Sequence, residues 1–156
     1  MLDDILKEED YRNILRFQEN IRVSPDKFVD NMLMQLKKMF GYESLSFFHV
    51  NENGDFYNPQ GINFGSEAIQ IYTDYYYKAD PFYFKNLGIP LQFRESVLFL
   101  EVADEVHFPN SEYCTDFFKH YGFDNEIALY LKSGNKHIGA MGVMRFKGDI
   151  EFTDRD

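Results

Sequence analysis

Tyrosines and one aspartate dominate the stretch "IQIYTDYYYKADPFYF", Ile69 to Phe84, and these side chains are the first candidates for a chemical site. Successive side chains on a helix step by about 100° around its axis, so Tyr75, Tyr76 and Tyr77 cannot all face one core. Ile69, Tyr72 and Tyr76 share one face, and Ala68, Tyr72 and Tyr75 an adjoining one. Tyr77 is expected to point elsewhere, to solvent or to a partner. A buried phenol left without a hydrogen-bond partner costs about 1–3 kcal/mol. A cluster of them therefore implies polar groups, water or a ligand inside. Asp80 precedes Pro81, which disfavours helical geometry at the residue before it, so the tyrosine helix should end near Ala79. Asp80 can cap a short second helix, "PFYFKNL", with Pro81 in its first position and Gly88 past its end. Alternatively it lies partly inside and accepts a hydrogen bond from a ligand. One carboxylate can do both.

Other reactive residue types carry less. Cys114 shares a helical face with Phe117, Phe118 and Tyr121, which suits a small buried hydrophobe better than a nucleophile. His49, His107, His120 and His137 are scattered, with no His-x3-His or Cys-x2-Cys pair, so neither a metal nor a cofactor is expected. "QGINFGS" lacks the lysine of a phosphate loop and reads as a turn into Ser66, which opens the next helix. Asp124 and Glu126 stand at a strand entrance, where solvated charge is the ordinary explanation. No nucleophile, base and orienter come together, so no enzyme is expected. Gly139 and Gly142 lie inside a strand, where glycine marks close approach of a ligand or of other protein groups.

The elements that position these residues are legible from periodicity. A helix is expected over residues 3–20, with Ile5, Leu6, Ile14, Phe17 and Ile21 on a discontinuous stripe. "SPDKFVDNMLMQLKKMFG" is a stronger helix, with Ser24 as cap, Pro25 first and Gly41 past the end. "ESLSFFHV" alternates as a strand, "NENGD" turns it, and "FYNPQGI" returns. "SVLFLEVAD" is a further extended segment, "PNSEYCTDFFKHYG" a helix, and "NEIALYLKSGNKHIGAMGVMRF" two strands joined at Ser133-Gly134-Asn135. Hairpins demand an antiparallel sheet and the intervening helices must cover it, so the class is α+β. The final "EFTDRD" reads as the beginning of another helix, with Thr153 as N-cap.

At 156 residues the chain fits one domain that buries about 68–70% of its unfolded surface. Sixteen basic and 26 acidic residues give a charge of −10, and no basic stripe offers a surface for nucleic acid. A single cysteine, an acidic N-terminus and no long apolar window suggest a cytoplasmic protein that does not enter membranes. Seventeen Phe and 11 Tyr accompany no Trp, a composition suited to a core or to a pocket wall.

"IYTDYYYKADPF", "CTDFFKHYGFDNEIALYLKSGNKHIGAMGVMRF" and the terminal "FTDRD" resemble the N-terminal sensor domains of LuxR-type transcriptional regulators, over roughly residues 25–156. The resemblance implies a GAF-like or autoinducer-binding-like α/β/α sandwich, an antiparallel sheet with helices on both faces. It implies a single ligand-sensing domain over residues 1–156, followed in such regulators by a helix-turn-helix domain through which DNA is bound. In the acyl-homoserine-lactone sensors a tyrosine and the aspartate of Asp-Pro contact the signal, which by match are Tyr72 or Tyr76 and Asp80. That subgroup also relies on tryptophan, absent here, and Gly142 stands where the last strand often offers a hydroxyl. Those departures count against a lactone, and the expectation is a small, partly apolar ligand of unassigned identity. Tyr72, Tyr76 and Asp80 would make the polar contacts, with Tyr57, Phe82, Phe99 and Phe118 as walls. A homodimer is compatible with this, and the competing expectation is a ligand-free dimerisation or protein-interaction module of the same fold.

Overall fold

The computed structural model describes residues 5–87, the backbone of 96–98, and residues 107–156. Helix α1, Glu8–Asn20, begins where the Lys7 N–H donates to Asp10 Oδ2 at 2.8 Å. A single turn of 3-10 helix, Pro25–Lys27, leads into α2, Phe28–Phe40, which ends at Gly41. Strands β1 (Ser44–Val50) and β2 (Phe56–Ile62) form the first hairpin. Its turn is closed by Asn51, whose Oδ1 accepts the N–H groups of Asn53 and Asp55, and Gly54 takes the φ of +84° that the turn requires. Helix α3 is Ser66–Asp74, β3 is Ser96–Leu98, and the second hairpin pairs β4 (Phe123–Ser133) with β5 (Lys136–Phe146). The strands form one antiparallel sheet in the order β2-β1-β5-β4-β3.

Alternation along β1 divides the core into two layers. Leu45 and Phe47 meet Val29, Met32, Leu33 and Leu36 of α2 on one face. Phe48 and Val50 meet Ala68 and Tyr72 of α3 and the Tyr113–Phe118 segment on the other. The expected α+β class, an antiparallel sheet with helices on both faces, is what the chain adopts. Gly139 serves packing: a Cβ there would stand 2.6 Å from Cζ of Phe47.

Three of the expected helices depart from expectation. The tyrosine helix ends at Asp74 rather than near Ala79, and Tyr75 leaves helical geometry at φ −142° before a short 3-10 turn, Tyr76–Lys78. The "CTDFF" helix is a π-helix, Tyr113–Phe118, in which the Lys119 N–H donates to the Cys114 carbonyl at 2.9 Å. The wider turn buries Tyr113, Cys114, Phe117 and Phe118 together. Residues 81–86 form successive turns, so the expected second helix is absent, and Gly88 lies outside the described residues. Thr153 and Asp156 bond to each other as at a helix start: the Thr153 N–H donates to Asp156 Oδ2 and the Asp156 N–H to the Thr153 carbonyl, while the Arg155 N–H donates to Thr153 Oγ1.

Candidate ligand-binding site

The break after Asp74 determines which tyrosines enter the core. Tyr77 turns inward to 4% exposure, and its hydroxyl donates to Asp55 Oδ1 at 3.0 Å. Tyr83 donates to the Gly54 carbonyl at 2.7 Å and Lys85 to the Asn53 carbonyl at 2.6 Å. The β1–β2 turn thus holds the segment around Asp80 at three points. Tyr75 faces out, donating to Glu112, and Tyr76 is half-buried with its ring 5.2 Å from Phe117. This reverses the expectation that Tyr77 reaches solvent.

Held in this way, Asp80 is 1% exposed. Its Oδ1 accepts the Phe82 N–H at 2.7 Å, the bond of a cap, while Oδ2 accepts the Tyr72 hydroxyl at 2.5 Å. The Tyr113 hydroxyl also interacts with this carboxylate. Asp80 is thus buried and accepts hydrogen bonds, but it closes a local turn onto Phe82 rather than capping the expected second helix, and its partners here are protein groups. Burial raises the Asp80 carboxyl to about 6, against the lowering effect of these hydrogen bonds. Burial and the Asp80 charge push the Tyr72 and Tyr113 phenols well above their ordinary value.

Asp80 lines a cavity of about 30 Å³ between α3, the π-helix and the sheet. That is room for one or two waters. Aromatic walls come from Phe48, Phe56, Phe64, Phe82, Phe117 and Phe123, and polar groups from Ser46, Tyr72, Tyr113, Glu126 and Tyr130. Pairing across the sheet puts Gly142 beside Ser46 on β1 and Ala128 on β4. A Cβ at Gly142 would stand 2.8 Å from Glu126 Oε1 and 2.9 Å from Ser46 Oγ. The glycine therefore keeps open the polar end of the cavity.

Of the residues named from the sequence, Tyr72, Asp80, Phe82 and Gly142 line this cavity. Tyr76 stands behind Phe117, and Phe118 packs behind the wall against Phe108, Tyr113 and Phe123. Tyr57 is 48% exposed with its ring against His49, away from the cavity. Its neighbour Phe56 points inward instead, because adjacent strand residues face opposite ways. Phe99 lies outside the described residues.

Glu126 corrects the reading of solvated charge: it is 9% exposed, while Asp124 is exposed. Glu126, Ala128 and Tyr130 occupy alternate positions of β4 and face the cavity together, a signal present in the sequence. Burial, then the Asp80 charge, pushes the Glu126 carboxyl well above the ordinary range. Tyr130 donates to the Phe82 carbonyl at 2.6 Å and so closes the cavity beside Asp80. Cys114 is wholly buried and its thiol is pushed up by desolvation.

The helix-covered antiparallel sheet that carries this cavity is similar in fold to the ligand-binding domains of LuxR-type regulators. The chain is similar to the ligand-binding domain of VqsR from Pseudomonas aeruginosa, with a TM-score of 0.60 and 14% identity over 88% of this chain and 80% of that one. CepR2 from Burkholderia cenocepacia, an N-acylhomoserine-lactone-dependent LuxR-family transcription factor, gives 0.60 and 12% over 93% and 83%. SdiA in complex with octanoyl-rac-glycerol gives 0.60 and 14%, and the match covers 96% of this chain but 59% of the SdiA chain. At these identities the likeness is one of fold. No protein-family model matches the chain, and no curated protein matches it by sequence.

Proposed function

We propose that this chain is the signal-sensing domain of a LuxR-type transcriptional regulator, binding a small, partly apolar molecule in the cavity beside Asp80. The observation that carries the reading is the Tyr72–Asp80 pair, buried in an aromatic cavity of a fold shared with ligand-binding domains. Tyr72 and Asp80 offer the polar contacts and Phe82 part of the wall. DNA would be reached through a separate domain, and ligand binding would shift the population of two arrangements of the whole regulator. The acidic charge of −10 fits a chain that does not itself grip DNA. Among the described residues no helix is long and apolar enough to cross a membrane, and a cytoplasmic location fits the single cysteine.

A second reading, a ligand-free dimerisation module, is favoured by one observation: Tyr11, Ile14 and Leu15 of α1 are exposed. A homodimer through that helix is compatible with either reading. Native mass spectrometry, followed by a thermal-shift screen of small amphipathic molecules, separates the two. A ligand at a hundred times its Kd adds about 2.7 kcal/mol, or roughly 5–11 °C for a domain of this size. The sensing reading expects such a shift in the wild type and its loss in Asp80→Asn and Tyr72→Phe. A broad screen without any shift leaves the module.

A further inference from the structure

Among the described residues that wall the cavity, two acids face inward with no base beside them. Two carboxyls, Asp80 and Glu126, line it, and no lysine, arginine or histidine stands among the described lining residues. Asp80 is occupied on both oxygens by Tyr72 and the Phe82 N–H. Glu126 is not: no hydrogen bond to its carboxyl is found among the described residues, although more than nine-tenths of the residue is buried. Its Oε1 borders the gap left by Gly142, as do Met144 Sδ and Ser46 Oγ. An unpaired buried acid is costly, and its charged neighbour here, Asp80, has the same sign.

We propose that the ligand carries a basic amine head, bound as the ammonium between the carboxyls of Glu126 and Asp80. This rests on the sensing function proposed above and adds the chemistry of the head group. An ammonium supplies the opposite charge and several N–H donors at once, and the aromatic wall that includes Phe48 and Phe117 suits an apolar body. An alcohol brings one donor and no charge, and leaves two acids facing each other. The titratable groups facing the head are Asp80, Glu126, Tyr72, Tyr113 and Tyr130. All three phenols are pushed up and stay protonated, so the exchange of protons falls to the carboxyls. An ammonium that enters leaves Glu126 ionised, and the proton Glu126 held passes to the buffer.

The test compares hexylamine, 1-hexanol and N-hexanoyl homoserine lactone on the wild-type chain and on Glu126→Gln. Thermal shift is read alongside calorimetry in two buffers of different ionisation heat. Hexylamine should raise Tm by roughly 5–11 °C at a hundred times its Kd, with net release of protons on binding. Glu126→Gln should weaken the amine at least tenfold and the alcohol far less. If Glu126→Gln does not fold, Glu126→Met, similar in volume and without charge, takes its place. A lactone or alcohol that binds the wild type better than the amine overturns the amine head and leaves the sensing function standing. So does an amine that binds Glu126→Gln as tightly as wild type. Silence from all three probes also removes the amine head, and the broad screen alone then decides whether the domain senses anything.

Discussion

Replacing Asp80 by asparagine should make the protein relatively more stable as pH rises. The Asp80 carboxyl is raised from its ordinary 3.8 to about 6 because burial disfavours its charged form more than its hydrogen bonds favour it. The folded state therefore holds the proton more tightly than the unfolded chain. For an acid shifted in this direction, stability is fully present below the unfolded value and is lost as pH climbs through the folded one. A rise from 3.8 to about 6 corresponds to about 3 kcal/mol at about 1.4 kcal/mol per pH unit, developed between about pH 4 and pH 6.5. Asparagine keeps the shape and never ionises.

His49 and His137, both lowered by burial, and Asp10, lowered by its bond from Arg155, titrate in the opposite sense. They are common to both proteins and cancel in the difference, whereas Glu126, raised in part by the Asp80 charge, is relieved in the variant and adds to its gain as pH rises. Urea unfolding at pH 4.5, 5.5, 6.5 and 7.5 should therefore show the Asp80→Asn variant gaining about 2 kcal/mol on the wild type across the series from the Asp80 carboxyl alone. The loss of one good acceptor for Tyr72 or the Phe82 N–H shifts the whole curve but not its slope. A difference that stays flat with pH would refute the claim that this carboxylate is buried at a cost.

Two glycine substitutions on β5 should behave oppositely. Gly142→Ala places a methyl against the mobile ends of Glu126, Met144 and Ser46, so it should alter stability little while abolishing the ligand-induced thermal shift. Gly139→Ala drives its methyl into the Phe47 ring at 2.6 Å and should cost about 1–3 kcal/mol by denaturant unfolding, with ligand response retained by whatever folds. Tyr77→Phe removes the donor to Asp55 and one of three ties to the Asp80 segment. A loss of about 1 kcal/mol is expected in the same assay, because Asp55 can turn to water.

Where local pattern and tertiary packing agree, the sequence was readable. The stripe of Val29, Met32, Leu33 and Leu36 recurs at helical spacing and meets the sheet as one face. The turn at Ser133-Gly134-Asn135 separates two strands that pair along almost their whole length. The misreading of Tyr76 and Tyr77 has a physical source. Nothing local stops the helix at Asp74, since the proline comes seven residues later. What favours the break are bonds from Tyr77, Tyr83 and Lys85 to the Asn53–Asp55 turn, distant in sequence. The π-helix is a similar case: the residue types declare a helix, but the wider turn that buries both Tyr113 and Phe117 depends on the cavity they line. Glu126 was missed because charge was weighed ahead of alternation. An acid two residues before a buried alanine and four before a buried tyrosine faces the same way they do.

The two walls of the cavity differ in what they can yield. On the sheet side, Ser46, Gly142 and Ala128 lie across three hydrogen-bonded strands, and displacing one breaks a ladder on either side. On the helical side, Tyr72 and Phe117 meet ring against ring, at 5.3 Å, and the polar tie between α3 and the turns after it is the Tyr72–Asp80 bond. A space of about 30 Å³ admits no organic ligand without movement, so under the sensing reading the helical wall is the one that gives. A head group that takes the Asp80 carboxylate competes directly with the Tyr72 and Tyr113 hydroxyls. Recognition and displacement of α3 and the π-helix are then one event, which is what a sensor must achieve if a contact inside the cavity is to be felt elsewhere in the regulator.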